Sequence, residues 1–136
     1  MNHSAGDTVH CADLPWLPLA DGVRMKVIKA DAETGRFSVI IRAEKDAVLP
    51  RHRHVERAEI YVIAGHGAHP QTGAYRAGDY ISERRGAVHD ALRFPVDTEL
   101  LMICEGPSDF LGEDDTPFHR MDAQFLLAMA SAPPAA

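Results

Sequence analysis

Pro50-Arg51-His52-Arg53-His54-Val55-Glu56-Arg57-Ala58-Glu59 is the stretch that decides how this chain is read. Side chains two apart on an extended strand point to the same face, so His52 and His54 can present two imidazoles to one point. Glu59 lies five residues beyond His54. An odd offset puts it on the opposite face of one continuous strand. For all three side chains to converge, the chain must bend or reverse within Val55-Glu56-Arg57-Ala58. A strand–loop–strand corner does this, and it would leave Glu59, Tyr61 and Ile63 on the inner face of the next strand.

Outward from this stretch the pattern is mostly of period two. Val23, Met25 and Val27 alternate with Arg24, Lys26 and Ile28, and Asp31-Ala32-Glu33-Thr34-Gly35 supplies turn chemistry. Phe37 to Arg42 is rich in β-branched and aromatic residues. Further runs cover Glu59 to Ala64, Asp79 to Glu83, Val88 to Phe94 and Glu99 to Glu105, and Gly and Pro punctuate the chain between them. Short strands at regular spacing predict an all-β sandwich or barrel. The exception is Asp122 to Ala130, where good helix formers follow an Asp that can serve as N-cap, so one short C-terminal helix is expected. Residues 1–12 are expected to form a flexible arm, 13–130 a single domain and 131–136 a disordered tail.

The segment Gly78-Asp79-Tyr80-Ile81-Ser82-Glu83-Arg84-Arg85-Gly86-Ala87-Val88-His89 completes a pattern. His52-x-His54-x4-Glu59-x5-Gly65 resembles the first cupin motif. Gly78-x5-Arg84-x-Gly86-x2-His89 resembles the second, with Arg84 where the family usually has Pro and a gap to Gly65 one residue shorter than usual. The resemblance implies a cupin jelly-roll, the double-stranded β-helix barrel, with metal ligands His52, His54, Glu59 and His89. Three neutral imidazoles and a carboxylate suit Fe(II), Zn, Mn, Ni or Co, and disfavour Ca and Mg, which prefer oxygen throughout.

A narrower resemblance runs over roughly residues 13 to 105. Asp13-Leu14-Pro15-Trp16, Asp31 to Gly35, Leu49 to His54 and Tyr75-Arg76-Ala77-Gly78-Asp79-Tyr80 are similar to cupins grouped with the ChrR-type sensor domain and with the acetylacetone-cleaving and dihydroxyacetophenone dioxygenases. The zinc-binding anti-sigma segment of the regulator has no counterpart in this sequence, so the stand-alone cupin is expected. The activity implied is an Fe(II) dioxygenase that uses O2 to break a carbon–carbon bond of a small enolisable ketone or diketone. The rival expectations are a metal-dependent isomerase or lyase on the same site, and a non-catalytic zinc-binding sensor. Glu59 and Tyr61 are the expected catalytic residues: Glu59 could leave the metal to take a proton, and Tyr61 could donate a hydrogen bond from the inner face. A core tyrosine with its hydroxyl at the rim is the alternative for Tyr61.

Composition agrees with a globular protein: 46% hydrophobic and 25% charged residues over 136 positions. A formal charge of −6 argues against a nucleic-acid surface. No apolar run approaches the ~18 residues that cross a bilayer, and no basic segment followed by an apolar run marks a secretory signal, so a cytoplasmic protein is expected. Cys11 and Cys104 lack CxxC partners, and Cys104 is expected in the core. Eight histidines are the unusual count. His66 and His69 are expected as polar hairpin residues, with contact to the metal-binding residues or to substrate as the alternative. His3, His10 and His119 are expected as solvated, with His119 alternatively capping the barrel mouth. Arg51, Arg53 and Arg57 should face outward. Trp16 should pack an arm on the barrel or on a partner subunit, and a homodimer is expected through that arm or an edge strand.

Overall fold

The computed structural model describes residues 5–131. The first strands are β1 (Leu17–Ala20), β2 (Val23–Ala30), β3 (Phe37–Ala43), β4 (Val48–Leu49) and β5 (His52–His54). There follow β6 (Ala58–Ala64), β7 (His66–His69), β8 (Gly73–Arg76), β9 (Tyr80–Glu83) and β10 (Val88–His89). The chain closes with β11 (Leu92–Arg93), β12 (Thr98–Cys104), β13 (Ser108–Leu111), β14 (Pro117–Met121) and the helix α1 (Ala123–Ser131).

Alternation of apolar and polar residues sets the architecture. A six-stranded sheet runs β1-β2-β3-β12-β6-β9, and a four-stranded sheet runs β10-β5-β13-β14. Two short pairs, β11-β4 and β7-β8, complete the jelly roll. Across the large sheet the ladder aligns Val39 with Met102 and Ile60, and Ile41 with Leu100 and Val62. All of these side chains are buried and form one core with Phe37, Phe94, Phe110 and Met121. Their alternate neighbours face out: Tyr61, Ile63 and Tyr80 are exposed. Cys104 is buried, as expected of a small core residue, and burial pushes its thiol up to about 12.

Gly65 ends β6 at φ +95°, and a Cβ there would lie 2.5 Å from Thr98 Oγ1. Both the backbone conformation and the close approach of β12 require glycine at this position of the first motif.

The expected run from Val88 to Phe94 is two short strands in different sheets, because the chain leaves the ladder at Asp90, whose side chain is engaged elsewhere. Strands β13 and β14 were not read from the sequence; β13 begins with Ser108 and Asp109, which are polar but buried. Asp109 holds Arg120 across the β13–β14 ladder through two bonds of 2.7 and 2.9 Å.

The C-terminal helix forms where its N-cap predicts. Asp122 Oδ1 accepts the Phe125 N–H at 2.8 Å, and Leu126 is fully buried beneath the helix. The N-terminal segment lies against β2: Lys26 donates to the Cys11 carbonyl at 2.8 Å and sits 4.7 Å from the Trp16 ring centroid. Trp16 therefore packs on its own barrel. His3 and residues 132–136 of the expected tail lie outside the described residues. Among the described residues, no helix is long and apolar enough to cross a membrane.

Candidate metal centre

Strand β5 faces two partners at once. It pairs with β10, setting His52 opposite His89, and with β13, setting His54 opposite Ser108 and His52 opposite Phe110. The register makes the His52 and His89 rings stack at 4.6 Å between centroids and 13° between planes. His54 meets both edge-on, at 4.9 and 5.0 Å. These three histidines are the ones expected from the sequence, and each offers a nitrogen within 4.8 Å of the others.

Two of the Nδ1 atoms, those of His52 and His54, are tied back to the frame. His52 Nδ1–H donates to the Pro50 carbonyl at 2.9 Å, which leaves the Nε2 lone pair facing inward. His54 Nδ1 lies 3.3 Å from Ser108 Oγ. Tethers of this kind fix the tautomer and aim of a metal-binding imidazole. Burial, reinforced by the neighbouring His54, lowers the His52 pKa to about 3, so this ring is neutral and its lone pair free.

The carboxylate at the centre is not the one expected. Glu59 is aligned with Ser82 and Ile103 on the outer face of the large sheet. Its Oε1 accepts from the Tyr80 hydroxyl at 2.9 Å, and Arg57 lies beside it. The inner face of β6 belongs to Ala58, Ile60 and Val62. Tyr61 likewise points outward and is 48% exposed. Both residues fall outside the histidine cluster, because the ladder keeps even-numbered positions of β6 inward, as on β5.

Glu83 occupies that place instead. It pairs with Ala58 across β6–β9 and projects into the interior, where it is 3% exposed. Its Oε2 lies 2.5 Å from His54 Nε2 and 2.7 Å from His89 Nε2. Burial opposes its charge, but the close approach of His54, His69 and His89 outweighs this and holds the carboxyl well below the usual range. The sequence carried a partial sign of it: Glu83 lies two residues beyond Ile81 on β9, so it takes whichever face Ile81 takes, and that face is buried.

His69, expected as a polar hairpin residue, is buried with its Nε2 3.1 Å from Glu83 Oε1. No spacing signal marks it. Its ring lies 4.2 Å from that of His89. His66 and His10 are exposed, as expected. His119 is half-buried rather than fully solvated: it stacks on Phe110 at 5.8 Å and meets Phe125 edge-on at 4.6 Å. Arg51 and Arg57 make outward ion pairs, Arg51 with Asp90 and Asp115, Arg57 with Glu105.

A divalent cation fits this donor set. His54 Nε2, His89 Nε2 and Glu83 Oε2 are buried at one point, yet none has a hydrogen-bond partner of acceptable alignment. Three converging orphaned atoms of this kind are what an ion would satisfy. Spaces on both sides adjoin the centre. An interior chamber lined by Ile41, Leu49, Ile60, Leu92 and Leu100 offers only about 20 Å³, room for about one water. Tyr75 lines it with a buried, unpartnered hydroxyl, so the inner-face tyrosine is Tyr75 and not Tyr61. On the other side, a surface cleft of about 520 Å³ reaches His69, Glu83 and His89 between Gln71, Thr72, Ser82, Arg84, Ala87 and Val88.

Residues 4–109 match the ChrR cupin-like domain. The acetylacetone-cleaving enzyme of Acinetobacter johnsonii is 24% identical over 123 residues, covering 82% of this chain and 80% of that one. A candidate acetylacetone dioxygenase from Methylibium petroleiphilum superposes with a TM-score of 0.87 at 22% identity, over 97% of this chain and 99% of that structure. The anti-sigma factor ChrR in complex with SigE from Rhodobacter sphaeroides shares the fold with a TM-score of 0.59 at 20% identity, over 68% of this chain and 49% of that one. Since the domain match runs through both histidine-bearing segments and most of the barrel, the chain belongs to the ChrR-like cupins.

Proposed function

We propose that this cupin is a metal-dependent dioxygenase, with Fe(II) the favoured ion, that cleaves a carbon–carbon bond of a small enolisable ketone or diketone. The proposal rests on the convergence of orphaned, buried His54, His89 and Glu83 atoms, two of whose side chains, Glu83 and His89, also line a cleft large enough for a small molecule. His52, His54 and His89 would hold the ion through Nε2. A bound ferrous ion supplies Lewis acidity toward a chelating diketone and redox chemistry toward O2.

The residues of the chain do the rest. The chamber of about 20 Å³ is too small for a diketone, so the substrate enters by the cleft of about 520 Å³ and meets Glu83 and His89 first. Nitrogens that give their lone pairs to an ion cannot also donate to Glu83, so its Oε2 becomes available as a base. Glu83 Oε2 takes the proton from the acidic carbon between the carbonyls; the C–H electron pair stays on the substrate as the enolate. Leu49, Ile60, Ile81 and Leu92 keep water from the inner side of the centre. The cleft also favours an enzyme over a closed zinc sensor, because it brings a small molecule up to the Glu83 and His89 side chains beside the centre. The reading includes a cytoplasmic homodimer, for which edge strand β9, with exposed Tyr80, offers a free side.

The test is metal analysis of protein purified without chelator, then Fe(II) loading and oxygen uptake with a panel of β-diketones and hydroxyketones. Stoichiometric O2 consumption with chain-cleaved products supports the dioxygenase. Product without O2 uptake would replace it by an isomerase or lyase, and tightly held zinc with no turnover by a sensor.

A further inference from the structure

His69 carries two sets of bonds whose directions fix its protonation pattern. Its Nδ1 accepts the backbone N–H groups of Gln71 and Thr72, both at 3.1 Å. An Nδ1 that accepts carries no proton, so in the neutral ring the proton is on Nε2. That Nε2–H points at Glu83 Oε1, 3.1 Å away. The lone pair a metal would need at Nε2 is therefore absent.

We infer that His69 is a positioning residue, locked by its own hairpin turn as the Nε2–H tautomer, which holds one oxygen of Glu83 and so aims the other at the centre. The inference rests on the role proposed for Glu83. It separates two groupings that distance alone leaves equivalent: His52, His54 and His89 on one side, and His69, Glu83 and His89 on the other. Only the first consists of rings whose Nε2 can be vacant.

The hairpin is built to keep the ring still. His69 ends β7, and the turn that follows is latched to the strand bearing His89. Gln71 Nε2 donates to Asp90 Oδ2 at 2.7 Å, and Asp90 N–H donates back to Gln71 Oε1 at 3.2 Å. Arg51 Nε lies 3.3 Å from the other oxygen of Asp90. The turn, the base and a metal-binding strand are thus joined in one frame, and outer partners of this kind set the aim of inner ones.

The experiment combines long-range ¹⁵N–¹H correlation of the histidine rings with metal titration and kinetics of His69→Ala and His69→Gln. In the wild-type protein, with zinc added or withheld, His69 should show a pyridine-type Nδ1 and a protonated Nε2. Both variants should still bind one Co(II) per chain with the wild-type absorption spectrum. In the Fe(II)-loaded form, His69→Ala should lose about tenfold or more in kcat with little change in KM, and His69→Gln, which keeps a donor, should recover part of it. A protonated Nδ1, loss of Co(II) from the variants, or an unchanged kcat would overturn the inference. Should the wild type prove inactive on every substrate, the tautomer and Co(II) arms still decide the positioning role, while the dioxygenase reading fails by itself.

Discussion

Glu83 and Ala58 are cross-strand partners, and this pairing sends Glu83 into the barrel while Glu59, one residue along, faces solvent beside Tyr80. The two carboxylates should therefore respond differently to the same change. Glu59→Gln should leave metal stoichiometry intact and shift unfolding free energy by no more than about 0.5 kcal/mol, as surface substitutions do. Metal analysis and urea denaturation check both.

Glu83→Gln keeps the shape of the side chain and removes its charge. If three imidazoles hold the ion, this variant should retain one metal per chain and lose about 100-fold or more in kcat, the range of a lost general base. Loss of the metal itself would make Glu83 a ligand.

Metal should stabilise the fold, since the site is assembled from β5 and β10 only in the native barrel. At a free ion concentration 100 times Kd the gain is about 2.7 kcal/mol. Thermal melts with and without chelator should show the difference in the wild-type protein, and His89→Ala should abolish it.

Acid should weaken the β13–β14 pair. Hydrogen bonds from Arg120 hold the Asp109 pKa below its usual value, with burial opposing. A depressed folded-state value means that stability is present above the unfolded pKa and is lost as pH falls through the folded one. Asp109→Asn should therefore melt lower than wild type at pH 6, with the gap narrowing toward pH 3 and at high salt.

The cap of α1 gives a structural control. Asp122→Ala should cost about 1 kcal/mol, and Leu126→Ala about 3 kcal/mol, because the first loses a cap and the second leaves a cavity. Neither should change metal affinity, which titration of both variants can verify.

Much of this was legible in the sequence, and the limits are physical. Alternation gave the strands around Val39, Ile60 and Met102, Asp122 gave the helix start, strand parity placed His52 and His54 together, and the resemblance to the cupin motifs added His89. At Glu59 the motif and the strand parity disagree: the odd offset from His54 argues for the outer face of a continuous strand, and the sheet keeps Glu59 there. Glu83 was visible as an acid on the face of Ile81 but lacked a partner until β5 and β10 were folded against it. For His69 the sequence offered contact with the metal-binding residues only as an alternative, because its role depends on a turn that brings Gln71 and Thr72 onto one nitrogen and on a strand 14 residues away. Strand β13 was missed because its buried Ser108 and Asp109 are satisfied by His54 and Arg120, contacts no local pattern reveals.

The measurement that bears most directly on the metal centre is anomalous diffraction at the iron edge from crystals of the Fe(II)-loaded protein, grown without oxygen. The account predicts one peak per chain, about 2.1 Å from the Nε2 atoms of His52, His54 and His89, with His69 Nε2 outside bonding distance. A peak bonded to Glu59 or to His69, or full occupancy in His89→Ala, would contradict it.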